Sequence, residues 1–136
     1  MATRDITAEE FNDTINDNDI VLVDFWATWC GPCRAFAPTF KASSEKHPDV
    51  VFAKVDTEAE QQLAADAQIQ SIPTLMAFRD GILVFRQPGA LPKESLQSLV
   101  EQVGALDMDA VRAELADKKS DETSADSTEK AEQAAS

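Results

Sequence analysis

A chain of 136 residues is long enough for one domain with a buried core and too short for two. Its formal net charge of −13 argues against a nucleic-acid-binding protein, which needs clustered Lys and Arg, and no apolar run is long enough to cross a membrane. The first residues lack a secretory signal pattern and two cysteines are too few for a disulfide-stapled secreted fold, so we expect a cytoplasmic protein.

The first half of the chain alternates predicted helices and strands. The segment Thr7-Ala8-Glu9-Glu10 has the form of a capping box and predicts a helix over residues 8–16. A nearly continuous apolar run predicts a strand over residues 20–26 that is covered on both faces, although it contains Asp24. A helix over residues 31–46 and a second buried strand over residues 50–56 follow.

The second half adds an antiparallel pair. Thr57-Glu58-Ala59-Glu60 repeats the capping-box pattern and predicts a helix that runs to about Ala67. Asp80-Gly81 between residues 74–79 and 82–87 is a strong signal for a two-residue hairpin. A helix over residues 92–103 comes last, so the order is βαβαββα after a possible short strand near Ile6.

The composition changes near residue 106. We therefore predict a domain over residues 1–106 and an acidic extension over residues 107–136. Residues 107–115 have the apolar spacing of a short helix, whereas residues 117–136 carry no large apolar side chain and are predicted to be disordered.

The motif with the clearest chemistry is Trp29-Cys30-Gly31-Pro32-Cys33, which follows the first buried strand and opens a helix. The helix dipole and the unpaired N–H groups at this position favour a thiolate on Cys30. Cys33 lies one turn further in, where it is more shielded but within bridging reach. This pattern predicts that Cys30 attacks a disulfide and that Cys33 resolves the mixed disulfide.

A structural zinc site is the main alternative for two cysteines. Such a site normally needs four Cys or His ligands, and His47, the single histidine, falls at the wrong end of the predicted helix. We therefore predict no metal ligands.

From Ile6 to about Val103 the chain resembles the thioredoxin family. The matching positions are the WCGPC motif at residues 29–33, Asp24, Trp26, Pro38, Lys54, Ile72-Pro73-Thr74 and Gly89. The resemblance implies an α/β thioredoxin fold, in which a central mixed β-sheet is flanked by helices on both faces. It also implies a cis bond before Pro73 and a position for the Pro73 loop beside the cysteines.

The resemblance further implies two groups of site residues. The catalytic group is Cys30, Cys33, Asp24 and Lys54, and the substrate-binding group is Trp29, Gly31, Pro32, Ile72, Pro73 and Gly89. Burial of Asp24 should raise its pKa and make it a proton acceptor for the Cys33 thiol, the alternative being a hydrogen-bonded, inert carboxyl. Lys54 either approaches Asp24 or reaches solvent, and we assign Trp26 to the core.

The implied function is that of a protein-disulfide reductase, an electron-carrying enzyme of cell redox homeostasis. An NADPH-dependent thioredoxin reductase and disulfide-containing proteins are its implied partners. We expect a monomer without a cofactor of its own, because the sequence has no glycine-rich phosphate loop. Two alternatives stay open: a binding module of the same fold, and an oxidase or isomerase, against which the Gly31-Pro32 pair argues.

Overall fold

The computed structural model describes residues 3–124. They divide into two compact units, one ending at Ala105 and one starting at Leu106. Within residues 3–105 the elements are β1 (Arg4–Asp5), α1 (Ala8–Asn16), β2 (Ile20–Trp26), α2 (Gly31–Lys46), β3 (Val51–Asp56), α3 (Gln61–Asp66), β4 (Thr74–Arg79), β5 (Ile82–Pro88) and α4 (Lys93–Gly104).

The strands of the first unit form one mixed sheet in the order β1-β3-β2-β4-β5. Strands β1, β3 and β2 are parallel, whereas β4 and β5 pair in the antiparallel sense. The central position of β2 follows from its apolar run, because a strand with neighbours on both sides and helices on both faces has no solvent-facing side chain. The predicted fold class is confirmed.

The two faces of β2 enter two different parts of the core. Val21, Val23 and Phe25 pack with side chains of α1 and α3. Leu22 packs on the opposite face with aromatic residues of α2 and aliphatic residues of α4. Side chains alternate between faces along a strand, so Asp24 and Trp26 point to the α2 face together with Leu22.

The start of α3 differs from the predicted one. The helix begins at Gln61 and not directly after Thr57. The Thr57 hydroxyl donates instead to the carbonyl oxygen of Trp26 at 3.1 Å, and the Asp56 carboxylate accepts the backbone N–H groups of Glu58 and Ala59 at 2.9 and 3.3 Å. These bonds hold residues 57–60 in a turn. The Thr57 side chain, which was expected to cap the helix, is bonded to the last residue of β2 instead.

The predicted hairpin at Asp80-Gly81 is confirmed. Both residues have positive φ, +53° at Asp80 and +80° at Gly81. These values belong to the type I′ turn, whose twist matches that of the paired strands β4 and β5.

The described part of the second unit contains α5 (Met108–Ser124). Its first turn is capped by the Asp107 carboxylate, which accepts the N–H groups of Asp109 and Ala110 at 3.1 and 3.2 Å. The helix continues beyond the expected end at Leu115, so the prediction of disorder was wrong for residues 117–124. The rest of the predicted disorder, residues 125–136, lies outside the described residues. Across the described part of the chain, no helix is long and apolar enough to cross a membrane.

Two glycine substitutions should change stability in opposite directions. Gly81→Ala should lower the free energy of unfolding by about 1–2 kcal/mol, because an L side chain is strained at φ +80° and its Cβ would lie 2.8 Å from Asn16 Oδ1. Gly104→Ala should raise it by about 0.5–1 kcal/mol, since that residue is helical and the nearest atom would be 3.9 Å away. Urea unfolding of both variants measures the two changes, and equal shifts would contradict the assigned turn.

Candidate active site

The cysteine pair occupies the junction between β2 and α2. After β2 ends at Trp26, the Cys30 N–H donates to the carbonyl oxygen of Ala27 at 3.2 Å, and the chain turns into the helix. Cys30 is the N-cap of α2 and Pro32 lies in its first turn, where a missing N–H leaves no hydrogen bond unmade. Cys30 and Cys33 form a disulfide with their Cα atoms 5.2 Å apart.

The two sulfur atoms have different electrostatic environments. Cys30 Sγ accepts the backbone N–H of Cys33 at 3.2 Å and lies at the positive end of the α2 dipole. The hydrogen bond and the helix dipole both favour a negative charge on Cys30 when the disulfide is open. The predicted difference in shielding is small in the disulfide form, since the exposed fractions are 4% for Cys30 and 2% for Cys33.

The loop before β4 lies directly beside this pair. The Ile72-Pro73 bond is cis, as the resemblance implied. The carbonyl oxygen of Ile72 is 3.7 Å from Cys30 Sγ, and the Pro73 carbonyl accepts the N–H of Gly89 at 2.7 Å. The structure therefore places Ile72 beside Cys30 and joins Gly89 to the same loop through Pro73.

The outer surface of the site is formed by exposed residues next to Cys30. Trp29 is 64% exposed, and Gly31 and Pro32 are exposed as well. The Trp29 indole N–H donates to Glu58 Oε2 at 2.7 Å, which fixes the ring beside the cysteines. Sequence analysis did not find this role of Glu58, because the partners are 29 positions apart and no local pattern joins them.

Asp24 is a fully buried carboxyl on the α2 face of the sheet. Neither of its oxygens has a hydrogen-bond partner among the described residues. Burial raises its pKa from 3.8 to about 7 because the charged form loses its hydration, and the positive charge of Lys54 opposes part of that increase. Among the described residues, no group supplies the hydrogen bond that the inert alternative requires.

Lys54 lies opposite Asp24 in the parallel pairing of β3 with β2. Its ammonium lies over the indole, with Nζ 4.5 Å from the centroid of the Trp26 ring. Trp26 itself is half-buried and packs against the cluster formed by Ala27, Cys30 and Cys33. The structure thus connects the cysteines, the indole, the ammonium and the carboxyl on one face of the sheet.

His47 is remote from this site. It caps the C-terminus of α2, at the opposite end of that helix from Cys30, and its Nε2 is 3.0 Å from Gln97 Oε1. No three His, Cys, Asp or Glu side chains in the described part of the chain are placed to hold a metal ion.

A redox cysteine pair at the N-terminus of a helix, on a mixed sheet with a cis-proline loop beside it, defines a thiol-disulfide oxidoreductase. The family model for thioredoxin matches residues 2–102. The chain belongs to the thioredoxin family. Its cysteine pair carries out dithiol-disulfide exchange.

Relatives and solved structures support this assignment. The chain is 50% identical to a candidate thioredoxin 2 of Streptomyces coelicolor over 85% of this chain and 87% of that protein. It is 43% identical to a thioredoxin of Mycobacterium tuberculosis over 70% and 84% of the two chains. The Fasciola hepatica thioredoxin structure superposes with a TM-score of 0.69 at 36% identity, covering 74% of this chain and 98% of that one.

The raised pKa of Asp24 predicts a specific pH dependence of stability. Between pH 3.8 and about 7 the unfolded chain has lost this proton and the folded chain keeps it, so stability falls as the pH rises through that window and is level above it. With about 1.4 kcal/mol for each pKa unit, the fall is on the order of 4 kcal/mol.

Asp24→Asn should remove this fall. The difference in unfolding free energy between variant and parent, both oxidised, should increase in favour of the variant from pH 4 to pH 8. Asp49→Asn, at an exposed carboxylate, is the matched control. A constant difference for Asp24→Asn would show that Asp24 titrates normally.

Proposed function

We propose that the chain is a protein-disulfide reductase of the cytoplasm that works as a monomer and carries electrons for cell redox homeostasis. The observation that carries the proposal is the N-cap position of Cys30, whose sulfur accepts the Cys33 N–H and lies beside the Ile72 carbonyl. The Gly31-Pro32 dipeptide, which resembles that of the reductants of this family, supports the direction of the reaction.

The reaction begins with attack by the Cys30 thiolate on one sulfur of a substrate disulfide. A bond forms between Cys30 and that sulfur, and the other substrate sulfur leaves as a thiolate. The Cys33 thiol then gives its proton to the Asp24 carboxylate and attacks Cys30 Sγ, which releases the second substrate thiolate. The substrate gains two electrons, and the Cys30-Cys33 disulfide holds the oxidised state.

Substrate docking is assigned to the surface around Cys30. This docking surface consists of Trp29, Gly31, Pro32, Ile72, Pro73 and Gly89. A hydrogen bond to Glu58 holds the Trp29 ring. An extended substrate segment laid beside the Pro73 loop would bring its disulfide to the attacking sulfur. Lys54 does not touch the substrate in this scheme; its positive charge lowers the pKa of Asp24.

Each turnover leaves the chain oxidised, so two electrons must return to it from outside. We assign this step to an NADPH-dependent thioredoxin reductase, the partner that the resemblance to the thioredoxin family implies. The chain needs no cofactor of its own in this scheme, because the two sulfurs carry both electrons.

The reduction potential of the Cys30/Cys33 pair tests the direction of the reaction. We expect about −270 mV, the value characteristic of thioredoxins, from equilibration in graded thiol buffers followed by alkylation and mass spectrometry. A value above about −180 mV would identify an oxidant or isomerase. Cys33→Ser, which cannot form the Cys30-Cys33 disulfide, is the control. If the parent chain also forms no reversible disulfide, only the binding-module alternative remains.

Asp24→Asn tests the proton transfer in the resolving step. A mixed disulfide between Cys30 and a small aromatic thiol is mixed rapidly with buffer, and release of the thiol is followed by absorbance. The parent rate should rise as the pH passes through about 7, where Asp24 ionises. The variant should be slower and lack that rise, while identical profiles would exclude Asp24 as the acceptor.

A further inference from the structure

A pocket of about 270 Å³ opens beside Trp26 and Lys54. Trp26 and Lys54 form part of its wall, and three carboxylates, those of Asp5, Asp56 and Glu60, also line it. These acidic groups come from β1, from the end of β3 and from the turn before α3. The pocket therefore offers the Lys54 ammonium a negatively charged alternative to its place over the indole.

The sheet register places three side chains on one face. Asp24 and Trp26 are two positions apart on β2, and Lys54 is opposite Asp24 on β3. The ammonium lies over the indole, 4.5 Å from the ring centroid, which is well within the range of a cation–π interaction. Among the residues whose side chains the structure describes, it forms no ion pair within 4 Å.

The ring is held by the redox centre. Trp26 packs against the cluster of Ala27, Cys30 and Cys33. Its buried indole N–H has no acceptor among the described residues. The Trp26 ring thus has packing partners on its cysteine side, and the side chain with more rotatable bonds in the contact is that of Lys54.

We propose that Trp26 is a positioning residue for the exchange reaction, because its ring face keeps the Lys54 ammonium close to Asp24 and away from the carboxylates of the pocket. The inference deepens the proposed function, since it rests on Asp24 being the proton acceptor. The charged and titratable groups around this contact are Asp5, Asp24, Lys54 and Asp56 on the sheet, Glu60 before α3, and the two cysteines beside the ring.

The direction of the effect follows from Coulomb's law. A weaker ring face lets the ammonium move outward to Asp5, Asp56 or Glu60. Asp24 then loses part of the positive charge that lowers its pKa, while its burial is unchanged. The pKa of Asp24 should therefore rise.

Fluorinated tryptophan tests this without changing the shape of the core. Fluorine withdraws electron density from the ring face and so weakens the cation–π attraction. In a Trp29→Phe background, Trp26 is the single tryptophan of the chain and can be replaced by 5-fluoro- or tetrafluorotryptophan. The pKa of Asp24 is read from its carboxyl carbon by NMR titration of the oxidised protein.

We expect the pKa of Asp24 to move upward with one fluorine and further with four, and to be insensitive to fluorination in the matched Lys54→Met protein. No shift, a downward shift, or the same shift in both proteins would overturn the inference. The readout needs no substrate. Its failure is therefore distinct from failure of the Asp24 role, which the resolving kinetics of Asp24→Asn decide.

Discussion

Strand β2 supplies both the centre of the core and the foundation of the site. Its apolar residues require burial on two faces, and that burial carries Asp24 out of contact with water. The strand then continues without a break into the cysteine loop, so Cys30 lies where the sheet ends and α2 begins. The stability of the core and the position of the reacting sulfur are thus set by one segment of seven residues.

Without a compensating charge, desolvation would raise the pKa of Asp24 further, and the carboxyl would ionise less readily. A carboxyl with its ordinary pKa would be a weak base toward a thiol, whereas one that never ionised could accept no proton at all. Lys54 moderates the desolvation from the neighbouring strand, and the resulting value of about 7 lies between these limits. Because β3 pairs with β2 in parallel, this moderation depends on register as much as on residue type.

The sequence was informative wherever a structural cause is local. The apolar run of β2, the Asp80-Gly81 turn and the Cys-X-X-Cys spacing each act within a few residues, and each lies in the structure as predicted. The predicted start of α3 was wrong because the Thr57 hydroxyl binds the carbonyl of Trp26, 31 positions earlier. A capping pattern describes only what a threonine could do locally, and tertiary contacts decide what it does.

The same distinction explains the site. Cys30, Cys33 and Asp24 could be chosen because each is unusual within its own segment, a cysteine at a helix start or an acid in an apolar strand. The contacts of Glu58 with Trp29 and of Lys54 with Trp26 exist only after the sheet and its loops have formed. From the sequence, Trp26 had only the ordinary role of a core aromatic residue.

The two tryptophans of the site therefore act through opposite parts of the same side chain. Trp29 uses its indole N–H, which donates to Glu58 while the ring stays exposed beside Cys30. Trp26 uses its ring face, which meets a cation, while its N–H has no acceptor among the described residues. One indole is exposed beside Cys30 and the other lies over Lys54, so the proposed docking surface and the proposed proton acceptor each adjoin one of the two tryptophans that flank the start of the cysteine loop.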